Sequence, residues 1–338
     1  MRARTIFLLI TFSLLFTAEG AVRWNGSFDA NIEYDNNIFY LSPADLQRFR
    51  LGENPARYPY HSADDIDLKV TADLGGVFTR NTGFRLRLRL HQYVVNQEKS
   101  YGLINTRIEQ EAGKLGRFFF SYIWMPNYLI RYYPDPEIKG GYFPCRYGEH
   151  LLGIDFHRGF GNLLITPNYR FEIDDYLKRF DYYDTRAHRL GVELGWRPRK
   201  NINLQGEYQF KIARAKGPVP DISYQEHRFE ITIATRPRVF DRFGIEAGYR
   251  FCHRQYTTDN PITIDPYHYG RVDRTQTIAA GGDFRLNPFT LVLKYELEWR
   301  EVDSPYNGEV EEVKEYRASR VSLGVNLPLR LDSKRKKD

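Results

Sequence analysis

The stretch GFRLRLRLHQYVV, residues 83–95, decides the fold class of this chain. Arginine and leucine alternate strictly in it from Arg85 to Leu90. Successive side chains of a β-strand point to opposite faces, so this segment would form a ribbon with one cationic face and one apolar face. A helix would distribute the same arginines around its whole circumference. The stretch therefore predicts a strand whose two faces meet different environments.

The same period-2 pattern recurs along most of the chain, and no long amphipathic helix is evident. Clear strands are predicted at Val22–Tyr34, Ile66–Phe78, Phe84–Val95, Leu163–Ile173, His188–Trp196, Ile202–Ile212, Phe229–Thr235, Phe243–Phe251, Gln276–Phe284, Phe289–Trp299 and Val321–Leu331. Less regular strands are predicted at Ile104–Glu111, Phe118–Ile130 and Leu152–Phe156. The pattern thus predicts about 14 strands, an even number.

Short and long connections alternate between these strands. Short turn signals occur at Arg80–Gly83, Gly113–Gly116, Gly159–Asn162, Arg197–Lys200, Pro237–Arg242 and Asn287–Pro288. Longer polar connections occur at Asn36–Asp65, Gln97–Gly102, Pro134–Cys145, Lys178–Asp184, Gly217–Ser223, Thr257–Arg271 and Asp303–Glu315. Both termini then lie on the short-turn side, which is typical of an antiparallel up-and-down β-barrel.

The apolar strand faces indicate contact with lipid. Every second residue is apolar from Phe289 to Trp299 and again from Val321 to Leu329, while the chain as a whole is polar, with a mean hydropathy of -0.56. Aromatic residues also mark strand ends, as the two girdles of a membrane barrel do. One girdle is predicted from Trp24, Phe78, Phe84, Trp196, Phe243, Phe284 and Phe289, and the other from Tyr34, Phe210, Phe251 and Trp299. A soluble sandwich or propeller would alternate too, but we favour lipid because the apolar faces are continuous and bounded by rings.

The first 20 residues have the pattern of a secretory signal peptide. Arg2 and Arg4 precede an apolar run, and Ala18 and Gly20 supply the small residues of a cleavage site. An uncleaved anchor helix is the alternative, but the run is shorter than the ~20 residues that a span needs. Cleavage would lower the formal charge from +6 to about +5. We expect a signal peptide at 1–20, a barrel at 21–331 and a basic periplasmic tail at 332–338.

With these features the sequence resembles the outer-membrane β-barrel proteins of diderm bacteria, at the level of the porin-like superfamily. The last predicted strand carries Ser322-x-Gly324-x-x-Leu327-x-Leu329, which is similar to the signal that the barrel-assembly machinery recognises. It departs from that signal because the chain continues past it into a basic tail. The resemblance implies a transmembrane barrel with short periplasmic turns, longer extracellular loops, outer-membrane lipid as its surroundings and the assembly machinery as a partner.

The charged faces of the strands are then expected to line the lumen. Aligning the second and third strands through the turn at Asn81 predicts that Arg89 lies opposite Asp73 and that Arg87 faces Gly75. The candidate pore-lining residues are Arg85, Arg87, Arg89, Asp73, Arg107, Glu109, Glu207, Lys211, Arg228, Glu230, Glu246, Arg250, Lys294, Glu296 and Arg300.

The strand count and these charges predict a channel. Side chains fill an eight-stranded barrel and 16–18 strands leave an open pore, so about 14 strands should leave a narrow aqueous lumen. A wall of mixed arginine and glutamate requires water or ion pairs, because isolated charges in a dry interior are costly. We expect passive transport of small polar or anionic solutes, attracted by Arg85, Arg87 and Arg89. The alternative for each residue is that the charges neutralise one another and merely hydrate the wall.

Two further features bear on the outer mouth. Ser42-Pro43-Ala44-Asp45 has the features of a helix start, which predicts a short helix at Ala44–Phe49, either a lid or a surface feature. Cys145 and Cys252 allow one disulfide, which would draw a loop across the mouth.

Other functions have weaker support in the sequence. No HExxH or GxSxG motif is present, and the acidic clusters lack EF-hand spacing, so we predict no catalytic residues, no metal and no cofactor. The positive charge is dispersed, which does not favour nucleic acid. A barrel that exports, assembles or anchors lipoprotein or polysaccharide is the alternative function, followed by an outer-membrane enzyme. The sequence leaves the oligomeric state open.

Overall fold

The structure is a computed structural model that describes residues 23–237, 241–306 and 308–331. The predicted signal peptide at 1–20 and the predicted tail at 332–338 lie outside the described residues.

Within these residues, fourteen antiparallel strands form one closed barrel. Each strand pairs with its neighbours in sequence, and β1 pairs with β14 to close the ring. The strands are β1 Arg23–Asp35, β2 Asp65–Val77, β3 Thr82–Tyr93, β4 Tyr101–Glu111, β5 Arg117–Pro134, β6 Tyr142–Phe160, β7 Leu163–Tyr176, β8 Thr185–Arg199, β9 Ile202–Ala215, β10 Tyr224–Thr235, β11 Phe243–Tyr256, β12 Val272–Leu286, β13 Phe289–Asp303 and β14 Tyr316–Leu331. The predicted fold class is confirmed.

Short turns join the strands at one end of the barrel, and longer connections join them at the other, which we call the loop end. The connection after β1, residues 36–64, is named L1 and contains helix α1, Pro43–Arg50. Helix α2, Glu309–Lys314, lies in the connection before β14. Within the described ranges, three short 3-10 segments occur at Gln97–Lys99, Gly113–Leu115 and Lys178–Tyr183. Among the described residues, no helix is both long and apolar enough to cross a membrane.

The outward face of the barrel is apolar and exposed. Large aliphatic side chains such as Leu90, Leu190 and Ile231 are 61%, 60% and 59% exposed. Near the short turns the rings of Trp24 and Phe78 pack edge to face, with centroids 6.4 Å apart. A wall of this kind would be unstable in water, so the outward face fits lipid.

The β5–β6 hairpin is longer than the sequence predicts. The strand predicted at Leu152–Phe156 extends over Tyr142–Phe160, so the connection before it comprises only residues 135–141. Two register shifts interrupt the pairing near Met125 and Leu129, and they break the period-2 pattern on which the prediction depends.

The register between β2 and β3 also differs from the prediction. Arg87 lies opposite Asp73, Arg85 opposite Gly75, and Arg89 opposite Thr71. The predicted pairing of Arg89 with Asp73 is wrong because the turn is centred one residue earlier, with Phe78 N–H donating to the carbonyl of Thr82. Moving the centre of a hairpin by one residue changes every cross-strand partner by two.

Candidate pore and its cap

The predicted pore-lining side chains occupy the inward-facing positions of their strands. Arg87, Arg89, Lys294 and Glu296 line the cavity described below. The other predicted residues point to the same face of the wall as the residues directly opposite them on the neighbouring strands. The pairs are Asp73 with Arg87, Arg85 with Arg107, Glu109 with Gly83, Glu207 and Arg250 with Glu230, Lys211 with Glu226, Arg228 with Cys252, Glu246 with Ala234, and Arg300 with Thr275. The alternation of each strand thus gathers the charges of the sequence on one side of the wall.

A cavity of about 620 Å³ occupies the lumen beneath L1. Its charged lining is balanced in number, with acids Asp29, Glu33, Asp35, Asp67 and Glu296 and bases Lys69, Arg87, Arg89, Lys294 and Arg320. Polar groups at this density bind water more favourably than apolar solute, so the cavity is suited to ions and polar molecules.

Most of the acids in this lining, and Asp73 next to it, are neutralised by partners. The Nε–H of Arg87 donates to both carboxylate oxygens of Asp73 at 3.0 and 3.1 Å. Lys69 Nζ lies 2.7 Å from Glu33, and Arg320 forms ion pairs with Asp35 and Glu296. These carboxylates therefore contribute little net field to the lumen.

Three cations differ from this pattern. Within the described residues Arg85, Arg89 and Lys294 form no ion pair, and Asp29 is the one lining acid whose recorded partner is an amide, that of Asn326. The part of the wall from β13 through β1 to β3 consequently carries an uncompensated positive charge.

The opposite part of the wall is built from tighter networks. Glu172 binds both Arg189 and Lys211, and Arg250 donates to Glu230 at 2.8 Å. The carboxylates without an ion pair, among the described residues, include Glu193, Glu207 and Glu246 on β8, β9 and β11. Because β10 lies seven strands from β3 in a ring of fourteen, these acids face the cationic side across the lumen.

L1 folds into the loop end and covers the cavity there, with Ile38 and Tyr40 in its lining. Its side chains Ile38, Phe39, Leu41, Tyr58 and Tyr60 form a buried cluster with Leu129 of β5. The rings of Phe39 and Tyr60 stack with centroids 3.6 Å apart. Burial of these side chains is worth on the order of 2 kcal/mol each. L1 is therefore a cap held by packing.

Helix α1 gives the cap its shape. The hydroxyl of Ser42 accepts the N–H of Asp45 at 3.0 Å, and Pro43 occupies the first turn, as the sequence predicts for a helix start. The helix covers Pro43–Arg50, close to the predicted Ala44–Phe49. Asp45 is buried and accepts hydrogen bonds from Arg48, Arg57 and the hydroxyl of Tyr58. Of the two predicted alternatives, the lid is the one that this packing supports.

Lys99 fixes the cap to the wall. It is 1% exposed, and its Nζ donates to the carbonyl oxygens of Leu129 and Ile130 at 2.7 and 3.1 Å, where the β5 bulge releases them from the sheet. Its ammonium also lies 5.2 Å from the ring of Phe39 in L1. Burial, reinforced by the charge of Arg131, lowers the pKa of Lys99 from 10.5 to about 7.

A second contact joins the cap to the connection before β14. Arg48 of α1 forms an ion pair with Glu312 of α2. The guanidinium of Arg300 donates to the carbonyl of Lys314 at the end of α2. The two loop helices thus support each other over the lumen.

The remaining predicted residues are the two cysteines and the assembly signal. Cys145 and Cys252 are free thiols on β6 and β11, which four strands separate in the wall, so the disulfide that the sequence allows is not formed. The predicted assembly signal lies on β14, where Ser322 lines the cavity and Leu329 is exposed on the outward face. Gly324 and Leu327 lie on the same strand. No group of three or more His, Cys, Asp or Glu in the described part of the chain is arranged to hold a metal ion.

Sequence reasoning missed Lys99, Arg320 and the inward packing of L1. The apolar run Ile38–Leu41 inside an otherwise polar connection was the one available signal for the cap. Nothing in the local sequence distinguishes Lys99 from an exposed loop lysine.

Comparison with solved structures finds proteins of similar fold. The outer membrane channel DcaP of Acinetobacter baumannii superposes with a TM-score of 0.50 at 9% identity, covering 91% of this chain and 97% of that chain. The fold is that of the outer-membrane barrels. An anion-selective porin from Comamonas acidovorans has a TM-score of 0.44 at 8% identity, with 91% and 99% of the two chains covered. Pseudomonas aeruginosa OprD has a TM-score of 0.43 at 8% identity, with 93% and 98% covered. No protein-family model and no curated protein matches the sequence of this barrel.

Proposed function

We propose that this barrel is an outer-membrane channel for small polar solutes, with a preference for anions. The observation that carries the proposal is the polar cavity of about 620 Å³ inside a closed lipid-facing wall. Water and small ions are the natural occupants of such a space, because its charged side chains would be costly to leave dry. The role is transport, and the proposal assigns the chain no catalysis.

The preference for anions follows from the partners of the charges. Arg85, Arg89 and Lys294 have no ion pair in the described structure, whereas Arg87 is neutralised by Asp73. Unpaired cations facing a narrow lumen raise the local concentration of anions. The unpaired acids across the lumen limit this preference and favour solutes that have a dipole.

In this conformation L1 covers the cavity at one mouth. Outer-membrane barrels have short periplasmic turns and longer extracellular loops, so we place the loop end outside the cell and L1 at the outer mouth. Export through the predicted signal peptide, a periplasmic position for the basic tail, and recognition of Ser322, Gly324, Leu327 and Leu329 by the barrel-assembly machinery belong to the same proposal.

Reversal potentials in planar bilayers test the proposal. The mature chain is refolded and recorded under a KCl gradient, beside an Arg85→Gln, Arg89→Gln variant. The matched control is Asp73→Asn, Arg87→Gln, which removes a neutral pair from the same hairpin. We expect anion preference in the wild type and in the control, and a shift toward cations in the first variant. Equal shifts in both variants would contradict the role of the unpaired cations, and conduction without anion preference would contradict the selectivity.

A further inference from the structure

A row of separate hydrogen-bonded pairs lies on the lipid-facing surface from β5 to β12, and we call this row the belt. In each of four successive hairpins a tyrosine hydroxyl on the first strand bonds to a histidine or glutamine on the second. The pairs are Tyr122–His150 at 2.7 Å, Tyr169–His188 at 2.7 Å, Tyr208–His227 at 2.9 Å and Tyr249–Gln276 at 2.9 Å. The geometry is the same each time, since the second residue lies two positions before the residue that faces the tyrosine. Four identical placements indicate a common depth in the membrane.

The belt lies at the upper edge of the apolar band. On β8, His188 is followed on the outward face by Leu190, Val192 and Leu194, and then by Trp196 near the short turns. Eight residues of strand at about 3.3 Å each, tilted by ~40°, span roughly 20 Å along the membrane normal. That is close to the ~25 Å height of the apolar band of an outer-membrane barrel. His188 therefore lies near the level of lipid ester and phosphate groups.

Two arginines stand just beyond this level, toward the loop end. Arg186 on β8 and Arg214 on β9 are direct cross-strand partners on the outward face, and both are exposed. Neither forms an ion pair within the described residues, although Asp175 lies on the same face of β7. Like charges placed opposite each other on a sheet are destabilising unless an anion lies between them.

An apolar groove lies on the same strands, on the membrane side of the arginines. It has a volume of about 400 Å³ around Gly206, between Leu194 of β8 and Ile231 of β10. A Cβ atom on Gly206 would meet nothing within 4 Å, so the glycine leaves open space on the surface. On β9 the outward residues between Gly206 and Arg214 are Tyr208, Phe210 and Ile212.

We propose that this surface binds a phosphorylated lipid of the outer leaflet. Arg186 and Arg214 hold the phosphate, and an acyl chain follows β9 past Tyr208 and Phe210, so that its end reaches the groove at Gly206, roughly 20 Å from Arg214 along the membrane normal. If the tyrosine hydroxyl donates to Nδ1 of His188, the neutral imidazole keeps an Nε2–H donor for the lipid headgroup. A lipid phosphate supplies both the counter-ion that the arginines lack and the chain that the groove fits. The inference depends on the orientation proposed above and is independent of conduction.

Native mass spectrometry of the refolded mature barrel in detergent tests this inference. The probes are diphosphoryl lipid A, the same lipid after dephosphorylation, and inorganic phosphate alone. We expect one tight lipid adduct that depends on the phosphate, weakened about tenfold in Arg186→Gln, Arg214→Gln. We expect a smaller loss in Gly206→Leu, which fills the groove that the end of the acyl chain reaches. Heat-modifiable migration on gels confirms that each variant is folded.

The matched control is Arg274→Gln. Arg274 is another outward arginine, two residues from the belt residue Gln276, but it lies 3.8 Å from Asp303 and so has an acidic partner. It should leave the adduct unchanged. Equal weakening in this control, equal binding of the dephosphorylated lipid, or binding of inorganic phosphate as tight as that of the lipid would each overturn the proposal.

Discussion

Lys99 should make opening of the L1 cap depend on pH. When the cap is closed, burial holds the pKa of Lys99 at about 7, against 10.5 when water reaches the amine. That difference corresponds to roughly 5 kcal/mol of coupling between protonation and opening. Between pH 7 and 10.5 the open form binds more protons than the closed form, so opening becomes easier as pH falls through this range, by up to about tenfold per pH unit. Below pH 7 both forms are protonated and the dependence on pH ends.

Lys99→Met is the perturbation that removes this coupling. Methionine keeps the apolar stem and has no titrating group, so the dependence of opening on pH between 7 and 10 should flatten. The variant leaves the carbonyls of Leu129 and Ile130 without the amine, at a cost of about 1–3 kcal/mol for a buried unpaired group, so its cap should also open more readily at every pH.

Limited trypsin digestion of the folded barrel reports opening without requiring conduction. Cleavage in L1 after Arg57 needs the cap to leave the mouth, because the next residue, Tyr58, is buried in the cap. The rate of this cleavage is followed by mass spectrometry across pH 7–10, normalised to the rate for a free peptide of the same sequence. Lys139→Met, at an exposed lysine between β5 and β6, is the control and should keep the wild-type profile. A wild-type rate that is flat across pH 7–10, or one that rises with pH, would refute the reasoning about Lys99.

Three other outcomes are expected. Glu193→Gln with Glu207→Gln should increase anion preference in reversal-potential measurements, because it removes acids that have no ion pair. Asp45→Asn should weaken the cap by about 2 kcal/mol, or roughly thirtyfold in opening, seen as faster L1 proteolysis of a barrel that remains heat-modifiable; unchanged proteolysis would show that Asp45 does not hold α1. Alkylated wild type should migrate identically on reducing and non-reducing gels, since Cys145 and Cys252 are free thiols; a faster non-reduced band would contradict this.

The barrel wall was predictable because its pattern is local. Alternation such as that of Arg85 to Leu90 fixes which face meets lipid, whatever the rest of the chain does. The partners across each hairpin were less predictable, since a turn centred one residue earlier pairs Arg87 with Asp73 where Arg89 was expected. The start of β6 at Tyr142 was missed because bulges in its partner interrupt the alternation.

The inward position of the L1 cap could not be predicted from local sequence patterns. Whether L1 lies on the surface or inside the mouth depends on Leu129 and other groups that the sheet brings together from distant parts of the sequence. The same holds for Lys99, whose partners exist only because β5 bulges at that point. The sequence identified the charged residues of the lumen as a set. Their ion pairs, and therefore which cations have no acidic partner, could be read only from the closed barrel.

The most direct test of the central claim is the conductance of the barrel with and without its cap. Residues 38–62 are replaced by a short Gly-Ser linker, and single channels are recorded in planar bilayers beside the wild type. Brief, rare openings are expected from the wild type, and longer openings with anion preference from the variant, since L1 no longer covers the polar cavity. A variant that is folded and heat-modifiable but never conducts would contradict the account, because the charged lumen would then not be a pore.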